Sequence, residues 1–127
     1  MARIRDVVFD AFHPASLARF WAGVLDDHAV APYDQAQLDR LRSIGVVDTE
    51  DDPTVLVASP QSELRLWFQR ASQPKVAKNR VHLDLVCDDI DQELTRLVAL
   101  GARVADQTND KLVVLVDPQG NEFCLLR

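Results

Sequence analysis

Cysteine is scarce in this chain of 127 residues, which contains only Cys87 and Cys124. The two cysteines form no CxxC pair and nothing in the sequence indicates secretion, so we expect two free thiols within the packing and no disulfide framework. Glycine is scarce too, with four residues in all. The segment DPQGN, which holds one of them, therefore predicts a turn, because a single glycine does not make a phosphate-binding loop.

An excess of positive charge and long apolar runs are missing as well. The formal net charge is −6, whereas a surface that binds nucleic acid through its phosphates needs clustered lysine and arginine, so we expect no nucleic-acid partner. No apolar run approaches the roughly 18 to 20 residues that span a bilayer, and the opening MARIRDVVFDAF lacks the apolar stretch of a signal peptide. We therefore predict a cytoplasmic protein with no membrane partner, folded as one domain over residues 1–127.

The first part of the chain predicts a strand followed by a helix. In IRDVVFDA, Val7 and Phe9 fall on one face, while Asp6, Val8 and Asp10 fall on the other, as in a strand with one buried side. Pro14 suits the first turn of a helix. Apolar residues then recur at helical spacing at Leu17, Phe20, Trp21, Val24 and Leu25.

The second half of the chain repeats this plan. VHLDL alternates, with Val81, Leu83 and Leu85 on one face and His82 and Asp84 on the other. A helix over about 89–100 follows, because Asp89 can cap its start and Gly101 can end it. Its apolar stripe consists of Ile90, Leu94, Leu97 and Val98.

Further strand-like runs follow each helix. The runs are TVLVAS and ELRLWFQ in the first half, and ARVAD, KLVVLVD and EFCLL in the second. The turn-forming segments SPQS and DPQGN predict that each closing pair is a hairpin. The sequence therefore predicts an α+β fold of two βαβββ modules, at about 1–72 and about 78–127.

The first module also contains an insertion, YDQAQLDRLRSIGVVDTEDDP. Leu38, Leu41 and Ile44 are spaced as in a short helix that ends at Gly45, and the acidic DTEDDP is expected to be a solvated loop. The insertion either roofs a pocket or elaborates the surface.

Five segments, in this order, resemble the vicinal oxygen chelate superfamily, which comprises glyoxalases, bleomycin-resistance proteins and extradiol dioxygenases. More narrowly, the chain resembles actinobacterial glyoxalase-like domain proteins. The resemblance covers the whole chain and rests on LARFWAGVL, GVVDTEDDPTVLV, LRLWFQR, KNRVHLDL and LVVLVDPQGNEFCLL.

The resemblance implies that the two modules pair into an open mixed-sheet cup with the helices outside and a ligand site within. In the metalloenzymes of the superfamily, inward His, Gln or Glu residues from both modules hold one divalent metal. Such a metal acts as a Lewis acid on a substrate with adjacent oxygens. For this chain the implied cofactor is zinc, nickel, iron or manganese, or none.

Carried over residue by residue, the resemblance makes His82 the ligand histidine of the second module. Asp6 stands where the metalloenzymes usually have His or Gln, and Gln69 is the plausible oxygen donor on LRLWFQR. The family pattern DPxGNxxE places a glutamate where this chain has Cys124, and Glu122 stands two positions earlier on the same face of the strand. The predicted metal ligands are therefore His82, Asp6, Gln69 and Glu122.

Other polar residues complete the predicted inner surface. His82 and Glu122 are the candidate catalytic residues, since a histidine can also act as a general base or bind a ligand directly. A single histidine on a strand is also commonly structural, and for Cys124 an inert buried thiol is favoured over a nucleophile, because nothing in the sequence indicates a lowered thiol pKa. The candidate ligand-binding residues are Trp67, Gln69, Asp6, Asp84 and Cys124, and Asp10 and Arg65 lie on the same predicted surface.

Besides an accessory or interaction module, which a cup of this family can also form without any chemistry, two functions remain open from the sequence. The first is a metal-dependent lyase, isomerase or dioxygenase-like enzyme that acts on a small oxygenated molecule. The second is a metal-free protein of the bleomycin-resistance type, in which acidic residues around Trp67 bind a cationic or aromatic small molecule. The resemblance also implies a homodimer, because members of the superfamily often pair modules between chains.

Overall fold

The computed structural model describes residues 1–127, the side chain of residue 108 excepted, and divides them into two compact units, Met1–Gln73 and Pro74–Arg127. The first unit comprises β1 (Asp6–Ala11), α1 (Pro14–Val24), β2 (Ala29–Val30), α2 (Gln35–Ser43), β3 (Thr54–Ser59) and β4 (Ser62–Arg70). The second comprises β5 (Leu83–Val86), α3 (Ile90–Leu100), β6 (Arg103–Asn109), β7 (Leu112–Val116) and β8 (Glu122–Leu126). Within the part of the chain so described, no helix is both long and apolar enough to cross a bilayer.

The two units share one sheet topology. The strand orders are β1-β4-β3-β2 and β5-β8-β7-β6, so the first strand of each module lies beside its last. In both sheets this pair is parallel, while the remaining pairs are antiparallel. The predicted α+β fold of two βαβββ modules is therefore confirmed, and the pairing of the modules into one cup stays a prediction.

In the first module, α1 covers one face of the sheet. Leu17 and Trp21, from the predicted apolar stripe, are buried, and Pro14 lies in the first turn of the helix. The Phe9 ring lies 5.3 Å from that of Trp21 and 5.1 Å from that of Phe68, measured between centroids. Side chains alternate along β1, and Phe9 points toward α1. Asp6, Val8 and Asp10 therefore point to the opposite face of the sheet.

In the second module, α3 has the predicted caps and contacts β8. The Asp89 carboxylate accepts a hydrogen bond from Gln92 N at 3.0 Å, and Gly101 ends the helix with φ of 119°, in the left-handed region. Leu97 of α3 and Phe123 of β8 are fully buried. Cys124 follows Phe123 along β8, and Asp84 is the register partner of Cys124 on β5, so both fall on the other face of the second sheet.

The acidic segment of the insertion differs from the expected solvated loop. Thr49–Asp51 forms a 3-10 turn, and Asp52 is buried with 1% of its surface exposed. Its carboxylate accepts hydrogen bonds from Arg40 Nη2 at 2.7 Å and from the Tyr33 hydroxyl at 2.8 Å. The expectation was wrong at Asp52 because the cation that neutralises it lies twelve residues away, on α2.

Candidate functional site

One polar row crosses the face of the first sheet opposite α1. The parallel pairing of β1 with β4 sets Asp6 beside Arg65 and Asp10 beside Gln69, with Trp67 between the two pairs. All of these residues lie on one face, since side chains repeat every two residues along a strand. The predicted site residues of the first module thus share the face that α1 leaves free.

Asp6 is held by two arginines. Its Oδ1 accepts a hydrogen bond from Arg65 Nε at 2.7 Å, and its Oδ2 accepts one from Arg5 Nε at 2.6 Å. Desolvation acts to raise the pKa of Asp6, but the hydrogen bonds from Arg5 and Arg65 outweigh it and the net pKa is lowered. Asp6 is therefore an ionised residue whose two oxygens are already engaged.

Gln69 and Trp67 continue the same row. The Gln69 amide donates a hydrogen bond to Asp10 Oδ1 at 3.1 Å, which turns its amino group toward that carboxylate. Trp67 is half-buried, and it offers a partly accessible aromatic ring between the two polar pairs. The structure thus pairs each predicted donor of this module with a neighbour.

A second cluster forms on the face of the second sheet opposite α3. Asp84 of β5 and Cys124 of β8 are register partners. The exposed His82 lies just before β5. This strand begins at Leu83, two residues later than the sequence suggested. His82 Nε2 lies 3.3 Å from Asp84 Oδ1. One donor atom from each of the three side chains lies within 4.8 Å of the other two. These donors are an imidazole, a carboxylate and a thiol, which are the ligand types that zinc accepts.

The Cys124 thiol is half-buried at the base of this cluster. Burial raises the pKa of the Cys124 thiol, and the neighbouring Asp84 carboxylate raises it further. The thiol is therefore protonated at neutral pH, and a coordinating cation would have to displace this proton.

Glu122 is held outside this cluster. Its Oε1 accepts a hydrogen bond from Lys75 Nζ at 2.8 Å, and its Oε2 accepts one from Asn79 N at 3.0 Å. The hydrogen bond from Lys75 lowers the pKa of Glu122 to about 2, against the effect of burial. His82 follows Asn79 by three residues. The hydrogen bond from Asn79 N to Glu122 therefore fixes the segment of chain that leads to His82.

The structure groups the predicted site residues differently from the sequence-based ligand set. Two positions assigned to ligand binding, Asp84 and Cys124, join His82, while Glu122 pairs with Lys75. The role of Lys75 was missed, because the 47 positions that separate it from Glu122 leave no local signal. The roles of all these residues in binding or catalysis stay predictions.

The sequence matches a family model described as "Glyoxalase-like domain" over residues 6–126. None of the curated proteins compared with the chain matches it. Solved structures with similar folds include the fosfomycin resistance protein FosX from Mesorhizobium loti, with a TM-score of 0.65 and 12% identity, over 99% of this chain and 91% of that one. At these low identities the likeness concerns the fold alone.

Two further structures share the fold. The trypanothione-dependent glyoxalase I of Leishmania major has a TM-score of 0.63 and 14% identity, over 100% of this chain and 87% of that one. TnmS3, an antibiotic-binding protein from Streptomyces sp. CB03234, has a TM-score of 0.59 and 16% identity, over 99% of this chain and 95% of that one. Taken with the family match, which spans nearly the whole sequence, the two βαβββ modules establish that the chain belongs to the glyoxalase-like domain family of the vicinal oxygen chelate superfamily.

Proposed function

We propose that this protein binds one divalent metal ion through His82, Asp84 and Cys124, and that a small oxygenated molecule binds beside it. The observation that carries the proposal is the convergence of three different donor groups on one face of the second module. Among the metals that the family resemblance implies, zinc suits the donor set best, because it accepts imidazole, carboxylate and thiolate together.

The distances within the cluster suit such an ion. Zinc bonds of about 2.0–2.1 Å to nitrogen and oxygen, arranged tetrahedrally, set the two donor atoms about 3.3 Å apart. His82 Nε2 and Asp84 Oδ1 are separated by 3.3 Å. The Cys124 thiol lies within 4.8 Å of both donor atoms, so a change of side-chain rotamer would be needed for it to act as the third ligand. Three protein ligands are the usual number at a catalytic zinc site, where a fourth position receives water or substrate.

Each residue has a distinct role in this proposal. Cys124 anchors the site in the sheet, Asp84 supplies negative charge, and the exposed His82 completes the ligand set. Glu122 acts as a positioning residue, because its bond to Asn79 N orders the approach to His82. A carboxyl group with a pKa of about 2 is a poor proton-transfer group near neutrality, so the catalytic role that the sequence suggested for Glu122 is not part of the proposal.

A bound divalent cation would supply Lewis-acid polarisation of a substrate oxygen. With zinc, which has no redox chemistry, the family resemblance extends this to lyase or isomerase chemistry, whereas oxygenase chemistry would require iron or manganese at the same residues. Diketones, hemithioacetals and catechol-like compounds are the first to test, because each presents neighbouring oxygens to a single metal.

Isothermal titration of chelator-treated protein with Zn²⁺ tests the metal site. We expect one equivalent to bind to the wild type, and at least about tenfold weaker binding to Asp84→Asn, since an anionic ligand is replaced by a neutral amide oxygen. Asp110→Asn is the matched control, because Asp110 is an exposed residue of the same module outside the cluster. Equal affinity in Asp84→Asn and the control would remove Asp84 from the site.

The first module favours a second candidate function, a metal-free protein that binds an aromatic small molecule. The supporting observation is that Asp6 and Gln69 are both engaged, with Arg65 and Asp10 respectively, while Trp67 between them is partly accessible. The likeness to the antibiotic-binding protein TnmS3 is compatible with this function. Stacking on Trp67 would supply most of the binding energy.

A cationic aromatic dye titrated in the presence of chelator tests this second function. We expect binding that is lost in Trp67→Ala and largely retained in the control Trp67→Phe, which keeps an aromatic face. Binding that needs added metal, or that is unchanged in Trp67→Ala, would contradict the metal-free function.

A further inference from the structure

A small cavity, about half open to solvent, lies on the first module, on the opposite side of the sheet from Trp67. Its volume is about 130 Å³. Val55 of β3 pairs with Phe68, whose ring packs against that of Phe9, so the cavity lies on the face of the sheet that α1 covers. Helix α1, strands β2 and β3 and the inserted segment all line it, through Ala15, Arg19, Val30, Tyr33, Thr49, Glu50 and Val55.

The inner wall of this cavity is apolar. Ala15 and Val55 are 5% and 2% exposed, and Val30 adds a third aliphatic side chain. A protein cavity of about 150 Å³ with apolar walls accommodates benzene. The volume here is slightly smaller, so it fits at most a single six-membered ring, and a substituent on that ring would point out of the open side.

The polar groups of the lining neutralise each other. Arg19 binds Glu50 through two parallel hydrogen bonds, of 2.8 and 2.7 Å, on the solvent side of the cavity. The Tyr33 hydroxyl donates to Asp52, and burial with this hydrogen bond raises the pKa of Tyr33, so its ring is an uncharged wall. Because the lining presents a paired arginine and glutamate, a ligand with a net charge would gain no counter-ion on entry.

We propose that this cavity is a second binding site, for one small uncharged molecule with a single aromatic ring. The aliphatic wall and the Tyr33 ring hold the body of the ligand. The Arg19–Glu50 pair forms part of the rim, and because both side chains are about half exposed, moving them aside for a ligand costs little stability. This site is independent of the metal cluster, and it assigns a pocket-lining role to the insertion between β2 and β3.

A two-dimensional NMR titration of the full chain with phenol tests the proposal. We expect saturable chemical-shift changes at Val30 and Val55 and a rise in melting temperature, because a ligand that binds only the native state stabilises it. Ala15→Leu fills the cavity and should abolish both effects. Ala22→Leu is the matched control, since it makes the same change on the same helix at a residue that does not line the cavity.

Three results would overturn the proposal. They are the absence of saturable shifts, shifts centred on Trp67 in place of the cavity, and binding that survives in Ala15→Leu. If Ala15→Leu does not fold, Val30→Leu on the short edge strand β2 provides the filled cavity and should likewise abolish phenol binding. Benzoate, which has a similar ring and a negative charge, should not bind, and binding as tight as that of phenol would refute the preference for an uncharged ligand.

Discussion

Replacing Glu122 with glutamine removes the charge that holds Lys75 and keeps the size of the side chain. The amide oxygen can still accept a hydrogen bond from Asn79 N, so the substitution isolates the ion pair. We expect Glu122→Gln to destabilise the second module and to loosen the segment that carries His82, without removing a metal ligand.

The magnitude follows from the pKa of Glu122. Its fall from 4.5 to about 2 corresponds to about 3 kcal/mol, at about 1.4 kcal/mol for each pKa unit. The Lys75 and Glu122 side chains are 20% and 19% exposed, so solvent screens part of this interaction and we expect a loss of about 1–2 kcal/mol. Since the folded pKa is below the unfolded value, this stabilisation is fully present above about pH 5 and disappears as the pH falls from 4.5 toward 2.

Urea unfolding of the wild type, Glu122→Gln, Lys75→Met and the double variant measures this coupling. The double-variant cycle at pH 7 should yield an interaction energy of about 1–2 kcal/mol, which should be smaller at pH 3.5. A coupling energy near zero at pH 7, or one that is the same at both pH values, would refute the reasoning.

Two further predictions concern the stability of the modules. Asp52→Ala should lower the free energy of unfolding by about 1–3 kcal/mol, because the Tyr33 hydroxyl and the partly exposed Arg40 guanidinium lose their buried partner, whereas Asp51→Ala at an exposed neighbour should change it little. Urea unfolding measures the stability of both variants, and equal values for Asp52→Ala and Asp51→Ala would contradict a stabilising Asp52–Arg40 pair. Gly101→Val should destabilise the protein by at least about 1–2 kcal/mol, because φ of 119° is strained for valine and a Cβ would lie 3.4 Å from Pro118 Cγ. Thermal unfolding checks this prediction, and a Gly101→Val variant that melts at the wild-type temperature would contradict it.

The elements of the fold that rest on local spacing could be predicted from the sequence. Helix α1 followed from its apolar stripe, and α3 followed from Asp89 and Gly101 at its two ends. The two-residue strand β2 was missed, because Ala29–Val30 is too short to show an alternating pattern.

The partners of the charged residues could not be predicted in the same way. Asp52 looked like part of a solvated acidic run, yet Arg40 neutralises it, and Glu122 looked like a free ligand, yet Lys75 holds it. Each partner depends on how distant segments pack. The family pattern directed attention to the missing glutamate at position 124, whereas the structure places the Cys124 thiol itself beside His82 and Asp84.

The most direct measurement is the absorption spectrum of the protein titrated with Co²⁺ in place of zinc. Coordination by a thiolate produces a sulfur-to-cobalt charge-transfer band, so the spectrum reports whether Cys124 is a ligand. We predict this band at one equivalent in the wild type and in the control Cys87→Ala, whose thiol contacts Leu126 O outside the cluster, and its loss in Cys124→Ala. A wild-type spectrum without the band, or a band that persists in Cys124→Ala, would contradict a metal site at His82, Asp84 and Cys124.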